Sequence, residues 1–294
     1  MYERRYGLIR TLAPLHVGAS AGEESGNLNL IFRDAYTQTG IIPGSSIRGR
    51  FRAEMRREDK QSCNYWYGAE AGDTDGISEG RVKFEYASLL WLPVFCPGQP
   101  VVWVSCPRLL RRAARTGISG VDDLQIQKLT DVASQKLNGA DVRTDSITQV
   151  KLFFNLGFLS LHRADEAQQR ILESFIPESL RVEINVNQLA VVDDASMGTI
   201  HDMALYRQSR VQLEYSQKTV RNFFNLEALP EASLMIFPIA IRPKPEDYTP
   251  KVAEWTPFKQ PIKGNRDASE ELYFGGLESI GFGRCLVTIS EVEK

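Results

Sequence analysis

Cysteine is scarce in this 294-residue chain and histidine scarcer, with four of the first and three of the second. Cys63, Cys96, Cys106 and Cys285 form no close pair of metal-ligand spacing, and His16, His162 and His201 lie far from one another. Neither a zinc motif nor a disulfide framework is written here, so free thiols in a reducing compartment are expected. No uninterrupted apolar run approaches the ~20 residues of a membrane span. Met1-Tyr2-Glu3-Arg4-Arg5 leads into a strand-like segment with no cleavage pattern, so the sequence predicts a cytoplasmic location and no membrane contact. Internal repeats are absent as well. The net charge of −2 gives none of the overall basicity common in nucleic-acid binders.

What is present is a globular composition, 43% hydrophobic and 24% charged, with its cations concentrated in two places. Residues 48–60 hold Arg48, Arg50, Arg52, Arg56, Arg57 and Lys60 against Glu54, Glu58 and Asp59, while residues 108–115 hold Arg108, Arg111, Arg112 and Arg115 with no acid. The acids concentrate in Glu70 to Glu85 and in the tail. A basic groove on a nearly neutral body follows.

The first cluster begins at Ile42-Pro43-Gly44-Ser45-Ser46-Ile47-Arg48-Gly49-Arg50-Phe51-Arg52. Gly44 permits a tight turn, and a helix starting near Ser45 or Ser46 presents free N–H groups and the positive end of its dipole to an anion. Ile47, Phe51 and Met55 then form a buried stripe beside a stripe of Arg48, Arg52 and Arg56. Two readings remain open: a phosphate grip, or an N-cap with a solvated helix face.

Along the chain, Tyr6 to Leu12 suits a core strand, followed by a long loop over 17–43. Val82 to Val104 reads as strands broken at Cys96-Pro97-Gly98-Gln99-Pro100, and Pro107 to Ala114 as a helix with proline in its first turn. Thr116 to Val150 reads as an insertion with short helices, and Ala164 to Phe175 as an amphipathic helix. Ser233 to Ile241 is a core strand, and the prolines between Arg242 and Ala268 mark an extended excursion. A helix start and the glycine loop Phe274-Gly275-Gly276-Leu277-Glu278-Ser279-Ile280-Gly281-Phe282-Gly283-Arg284 precede a closing strand. That loop lacks the Gly-Lys-Ser/Thr ending of a P-loop and runs into a strand, which argues against nucleotide hydrolysis.

The strand–helix mixture fits an α+β domain. Thr11-Leu12-Ala13-Pro14-Leu15-His16-Val17-Gly18, the Gly44-Ser45-Ser46 helix start and the glycine loop together resemble the RAMP superfamily, the RNA-binding proteins of CRISPR effector complexes. Leu89-Leu90-Trp91-Leu92-Pro93-Val94, Val104 to Arg112, Arg210 to Leu213 and Glu227-Ala228-Leu229-Pro230 extend the resemblance over most of the chain. It is closest to the backbone subunit of type III complexes, of the kind that is the fourth subunit in the Cmr (III-B) type; III-D subunits share these features.

The resemblance implies a single RAMP domain over 1–294. Its palm would be modified RRM-like (ferredoxin-like), with large insertions and a projecting β-hairpin thumb at about 186–213. It implies stacking of several copies along a guide RNA, with target RNA and other type III effector subunits as partners. It places guide phosphates on Gly44, Ser45, Ser46, Arg48, Arg52 and Arg56 and on Gly275, Gly276, Gly281, Gly283 and Arg284, the two groups lying side by side. Met197, Ile200, Met203, Leu205 and Tyr206 would be the apolar members of the thumb, wedging between bases.

The resemblance also implies a target-RNA endoribonuclease acting at six-nucleotide intervals through an aspartate in the loop after the first strand. Aligning Arg33-Asp34 on the family's Arg-Glu puts Leu28 or Asn29 at that aspartate, and neither is a carboxylate base or metal ligand. Three explanations stand: a non-cleaving scaffold, an engineered replacement of Asp by Asn29, or a carboxylate supplied by Glu23, Glu24 or Asp34. No cofactor is expected to be stably bound, and divalent Mg or Mn is expected only if the chain cleaves. A stand-alone RRM-like protein binding single-stranded RNA is the remaining alternative.

Overall fold

The computed structural model describes residues 1–18, 28–69, 78–144, 147–155, 157–213, 220–243, 254–258 and 268–292. The chain opens with β1 (Glu3–Thr11), the short strands β2 (Leu28–Asn29) and β3 (Ile41–Ile42), and helices α1 (Gly44–Glu58) and α2 (Lys60–Tyr67). Strands β4 (Val82–Phe84), β5 (Ala87–Cys96) and β6 (Gln99–Ser105) lead to α3 (Pro107–Ala114) and α4 (Asp123–Gln127). Then come β7 (Val132–Ala133), β8 (Ala140–Thr144), β9 (Ile147–Phe154), β10 (Gly157–Arg163), α5 (Glu166–Ser174), β11 (Leu189–Val191) and α6 (Asp194–Ala204). Strands β12 (Tyr206–Leu213), β13 (Val220–Ala228), β14 (Leu234–Ile241), β15 (Ala268–Tyr273) and β16 (Arg284–Glu291) complete the described chain.

The architecture is mixed α/β around one large sheet. Its main path runs β15-β16-β1-β14-β5-β6-β11-β7-β10-β9-β8, with β3 on β5 and β4 on β14, while β12, β13 and β2 form a smaller sheet. Most pairs are antiparallel; β10 with β7, β11 with β6 and β13 with β2 are parallel. The insertion over 116–150 therefore supplies strands to the same sheet as the first strand. No helix among the described residues is long and apolar enough to cross a membrane.

Strand β1 is paired along both edges, with Gly7 opposite Phe237 of β14 and Ile289 of β16. Strand alternation divides its neighbours into two cores. Ile9, Leu89, Met235 and Phe237 pack with Ile47 and Phe51 of α1. Leu8, Trp91, Leu234 and Ile236 pack with Leu110 and Ala113 of α3 and with Leu172 and Phe175 around α5. On the α1 side the aromatic rings are joined: Phe51 stacks on Phe84 at 5.4 Å and on Phe258 at 5.5 Å, and Trp255 Nε1–H donates to Tyr67 Oη at 3.1 Å. These contacts tie α1, α2 and residues 254–258 to the sheet.

Helix α1 starts where the motif places it, but for a steric reason. Pro43 is the N-cap, Gly44 the first helical residue, and a Cβ at Gly44 would meet the Phe84 carbonyl oxygen at 2.5 Å. Glycine lets the helix start lie directly on β4. Helix α5 follows the amphipathic pattern and begins with an Asp165–Gln168 capping box.

Two local expectations fail. The segment before the glycine loop is not a helix start but β15, paired with β16. The apolar residues assigned to the thumb lie on or beside α6, with Met197 fully buried, Ile200 and Leu205 nearly so, and Met203 packed against the same core. Asp193 caps this helix, accepting from the Ala195 and Ser196 N–H groups, and the apolar residues at i and i+3 face inward. They cannot wedge between bases. The hairpin that does form is β12–β13, which starts only at the half-exposed Tyr206; its turn lies outside the described residues.

A Cβ at Gly7 would lie 2.1 Å from the Phe237 ring. Gly7→Ala is therefore expected to destabilise the fold by about 1–3 kcal/mol through overpacking, measured as a lower urea midpoint at unchanged m-value.

Candidate functional site

The arginines of α1 do not stand free. Arg48 donates to the Tyr67 carbonyl and Arg52 Nη2 to the Gly68 carbonyl at 3.3 Å. Both guanidinium groups therefore satisfy carbonyls at the C-terminal end of α2, where the helix leaves them without backbone partners and the dipole favours cations. Arg50 pairs with Glu54 at 2.6 Å, and Arg56 is also partnered. What α1 does present is its beginning: Ser45 and Ser46 are exposed, no side chain caps the helix, and Gly44, Ser45 and Arg48 line a hollow with Gly80 and Lys83.

The glycine loop divides in two. Gly275 and Gly283 have positive φ, and a Cβ on either would meet a backbone carbonyl oxygen at 2.0 Å, that of His16 and that of Phe274 respectively. Their close approach is to protein: the Gly283 N–H donates to the Pro14 carbonyl at 2.9 Å and the Leu12 N–H to the Arg284 carbonyl at 2.8 Å. Gly276 and Gly281 face open space, and Arg284 is exposed, paired with Glu271 at 3.0 Å.

The two glycine elements are not side by side. Gly44 touches Phe84, which is level with Arg5 through Ile239, whereas Cys285 pairs with Thr11. Six strand residues separate these levels, on the order of 20 Å along β1. The neighbour of the glycine loop is instead the root of the β12–β13 hairpin, where the Tyr206 and Phe282 rings meet edge to face at 5.9 Å and Phe282 packs with Leu226 and Ala228.

Beside that root lies a polar network that sequence reasoning missed. Glu227, only 3% exposed, accepts from Arg33 Nη2 at 2.8 Å and Arg207 Nη2 at 3.2 Å, and Arg33 also pairs with Asp202. His16 donates its Nδ1–H to the Glu227 carbonyl oxygen at 2.6 Å, anchoring the loop after β1. The buried His201 accepts the Gly40 N–H on Nε2 at 3.0 Å, so its proton belongs on Nδ1, 3.7 Å from Asp202 Oδ1. The His201 ring and, against the opposing effect of burial, the Arg33 guanidinium hold the Asp202 carboxyl down at about 2. Burial pushes His201 below its ordinary value. A cavity of about 740 Å³ opens between Arg33, Asp202 and Arg207. Only the Arg33-Asp34 and Glu227-Ala228-Leu229-Pro230 motifs, and the Thr11 to Gly18 motif for His16, hinted at these residues.

Of the cleavage candidates, Asn29 lies in β2 level with Leu226, beside Glu227 in β13. Asp34 is committed to its own turn, accepting from the Tyr36 and Thr37 N–H groups at 3.0 and 2.8 Å and from the Thr37 hydroxyl at 3.0 Å. Burial pushes its carboxyl up, and these donors more than offset that to keep it below its ordinary value. Glu23 and Glu24 lie outside the described residues. No three His, Cys, Asp or Glu side chains converge as a metal-ligand set among the described residues.

A family model, the RAMP superfamily, matches residues 8–286, and the chain belongs to that superfamily. Its fold is similar to that of solved type III-B structures. Two are Cmr-beta structures determined by cryo-electron microscopy, one in the apo state and one bound to cognate target RNA. They give TM-scores of 0.67 at 17% and 16% identity, over 97% of this chain and 96% of each of those. Oligomeric Cmr4 from Pyrococcus furiosus gives 0.62 at 18% identity over the whole of both chains. No curated protein sequence matches the chain.

Arg48→Ala is expected to cost about 1.5–3 kcal/mol of unfolding free energy, because it strands a helix-end carbonyl, with Arg48→Lys recovering part of the loss in urea titrations. The buried neutral His201 binds a proton less readily folded than unfolded, so the unfolded chain binds more protons and stability rises with pH. Its contribution is complete above the ordinary value of 6.5 and declines as pH falls below it. His201→Asn should flatten that decline in unfolding curves taken between pH 5 and about 7.

Proposed function

We propose that this chain is an RNA-binding backbone subunit of a type III CRISPR-Cas ribonucleoprotein, stacking in several copies along a guide RNA and positioning target RNA for antiviral defence. The observation that carries this reading is the end-to-end match: the RAMP model spans residues 8–286, and the same fold covers at least 96% of the Cmr structures. The sheet supports the finer assignment of a ferredoxin-like palm. Taken as palm strands one to four, β1, β5, β14 and β16 stand in the order β16-β1-β14-β5, with α1 between the first two.

Guide phosphates belong on the uncapped start of α1 at Gly44, Ser45 and Ser46 and on the open side of the glycine loop at Gly276, Gly281 and Arg284. Because these lie at opposite ends of β1, they are two separate contacts with the strand of RNA. The thumb is the β12–β13 hairpin, with exposed Tyr206 and Val211 and with Arg210 over the Phe224 ring at 5.8 Å. Its partners would be guide RNA, target RNA, further copies of itself and other type III effector subunits, in the cytoplasm.

The role is binding without cutting: Asn29 offers an amide where the family reading needs a carboxylate, and Asp34 is spent on its turn. A divalent ion enters only if the chain cleaves.

Purified protein mixed with guide RNAs of increasing length is expected to form particles that grow by whole multiples of the chain mass, and to leave bound target RNA intact with Mg or Mn. Binding that stays at one copy whatever the RNA length would favour a stand-alone RNA-binding protein and reject the backbone role. Asn29→Asp should introduce metal-dependent cleavage if that position is the lost aspartate.

A further inference from the structure

The second arginine cluster of the sequence has no part in the contacts described so far. Helix α3 carries Arg108, Arg111 and Arg112, with Arg115 at its C-cap, while Leu110 and Ala113 anchor it in the core on that face of the sheet. The arginines border a cavity of about 320 Å³ whose other walls include Tyr36, Tyr86 and Asp34. It adjoins a second of about 450 Å³, bordered by Arg4, Arg5, Lys83 and Glu85, and the two share Arg112 and Arg115. Lys83 in turn borders the hollow at the start of α1. The three cavities follow one another from Tyr36 to Ser45.

Arg5, Lys83, Arg111 and Arg112 are ion-paired, but three of these cations differ from those of α1. The guanidinium groups of Arg4, Arg108 and Arg115 make no hydrogen bond or ion pair with other described residues. Arg112, by contrast, is fixed by the Ser88 hydroxyl and the Tyr86 carbonyl, each at 3.1 Å, and lies 3.7 Å from the Tyr86 ring centre. Arg108 lies 5.8 Å from the ring of Tyr36, which is 82% exposed. Among the described residues, Asp34 and Glu85 are the only carboxylates on the walls of the first two cavities, and Glu85 is paired with Arg112 at 3.3 Å.

We infer that this α3 groove binds a short single-stranded RNA segment, its phosphates on Arg108, Arg115 and Arg4 and a base stacked on Tyr36. The inference deepens the RNA-binding reading above and rests on it. Unpaired cations along a channel with an exposed aromatic ring are what a single strand needs, since phosphates take the charge and every base offers a flat face. An acidic peptide would use the arginines but leave the ring without a purpose. Continuity with the start of α1 gives the strand a path off the α3 side and onto the helix terminus.

The test is fluorescence anisotropy of a labelled, mixed-sequence single-stranded RNA with the full-length protein over a range of salt. Arg108→Ala with Arg115→Ala is expected to weaken binding about tenfold and to flatten the salt slope by about 0.7 per arginine lost. Tyr36→Ala is expected to weaken it about five- to hundredfold at unchanged slope. All three residues are solvent-facing, and an unchanged melting temperature separates lost binding from lost folding. If the unaltered protein binds no RNA, the RNA-binding reading fails and the groove with it. If it binds, and these variants match it in affinity and slope, the groove alone is overturned. Lost self-assembly at unchanged RNA affinity would give the groove to a protein partner and overturn it equally.

Discussion

Strand β1 is hydrogen-bonded along both edges, and the missing side chain at Gly7 lets the Phe237 ring lie across it. Most of the architecture depends on that arrangement. A strand paired on both sides has no free edge, so everything else must attach to its faces or its ends. One face is covered by α1 and the aromatic rings around Phe84, the other by α3 and α5. The C-terminal end of β1 gathers the loop through His16, the glycine loop and the hairpin root. The level of Arg5, near the other end, holds the start of α1 and the basic cavities. The surfaces proposed for RNA are thus spread along the strand and not gathered into one pocket, an arrangement suited to an extended polymer.

The arginines show how charge is allocated. Where packing brings a carbonyl or carboxylate within reach, desolvation makes pairing obligatory: Arg48 and Arg52 close the end of α2, and Arg33 and Arg207 neutralise the buried Glu227. Where no partner is brought near among the described residues, as for Arg108 and Arg115, the cation stays in water and is available to something else. A basic stripe in a sequence cannot tell these cases apart, because the partner comes from a distant segment. Tyr67 is nineteen residues from Arg48, and Glu227 is 194 from Arg33.

Much of the fold was nonetheless legible. The strand patterns of β1, β5 and β14, the proline-started α3 and the capped α5 all carry their signals within a few residues. Helix α6 carries its own signal as well: Asp193 as a cap, then Met197, Ile200 and His201 at helical spacing, all inward-facing. The resemblance to a thumb-bearing family implies a hairpin over a segment whose own periodicity is helical, and the hairpin begins only where that helix stops. The place of the glycine loop in the chain is legible in the sequence but its neighbour is not, since adjacency across a sheet is set by register.

The sequence by itself determined the family, the alternation that builds the sheet, the glycine at the start of α1, the positions of both arginine clusters and the absence of a carboxylate at Asn29. These are short-range properties, carried by residue type and local spacing. Only the tertiary structure decided which arginines are spent and which have no partner among the described residues, that Gly275 and Gly283 serve the protein backbone, and that the helix start and the glycine loop stand apart. It also decided that His201 and Glu227 are buried together. Each of those depends on which distant segments the sheet register brings into contact, and burial then forces buried polar groups to find partners.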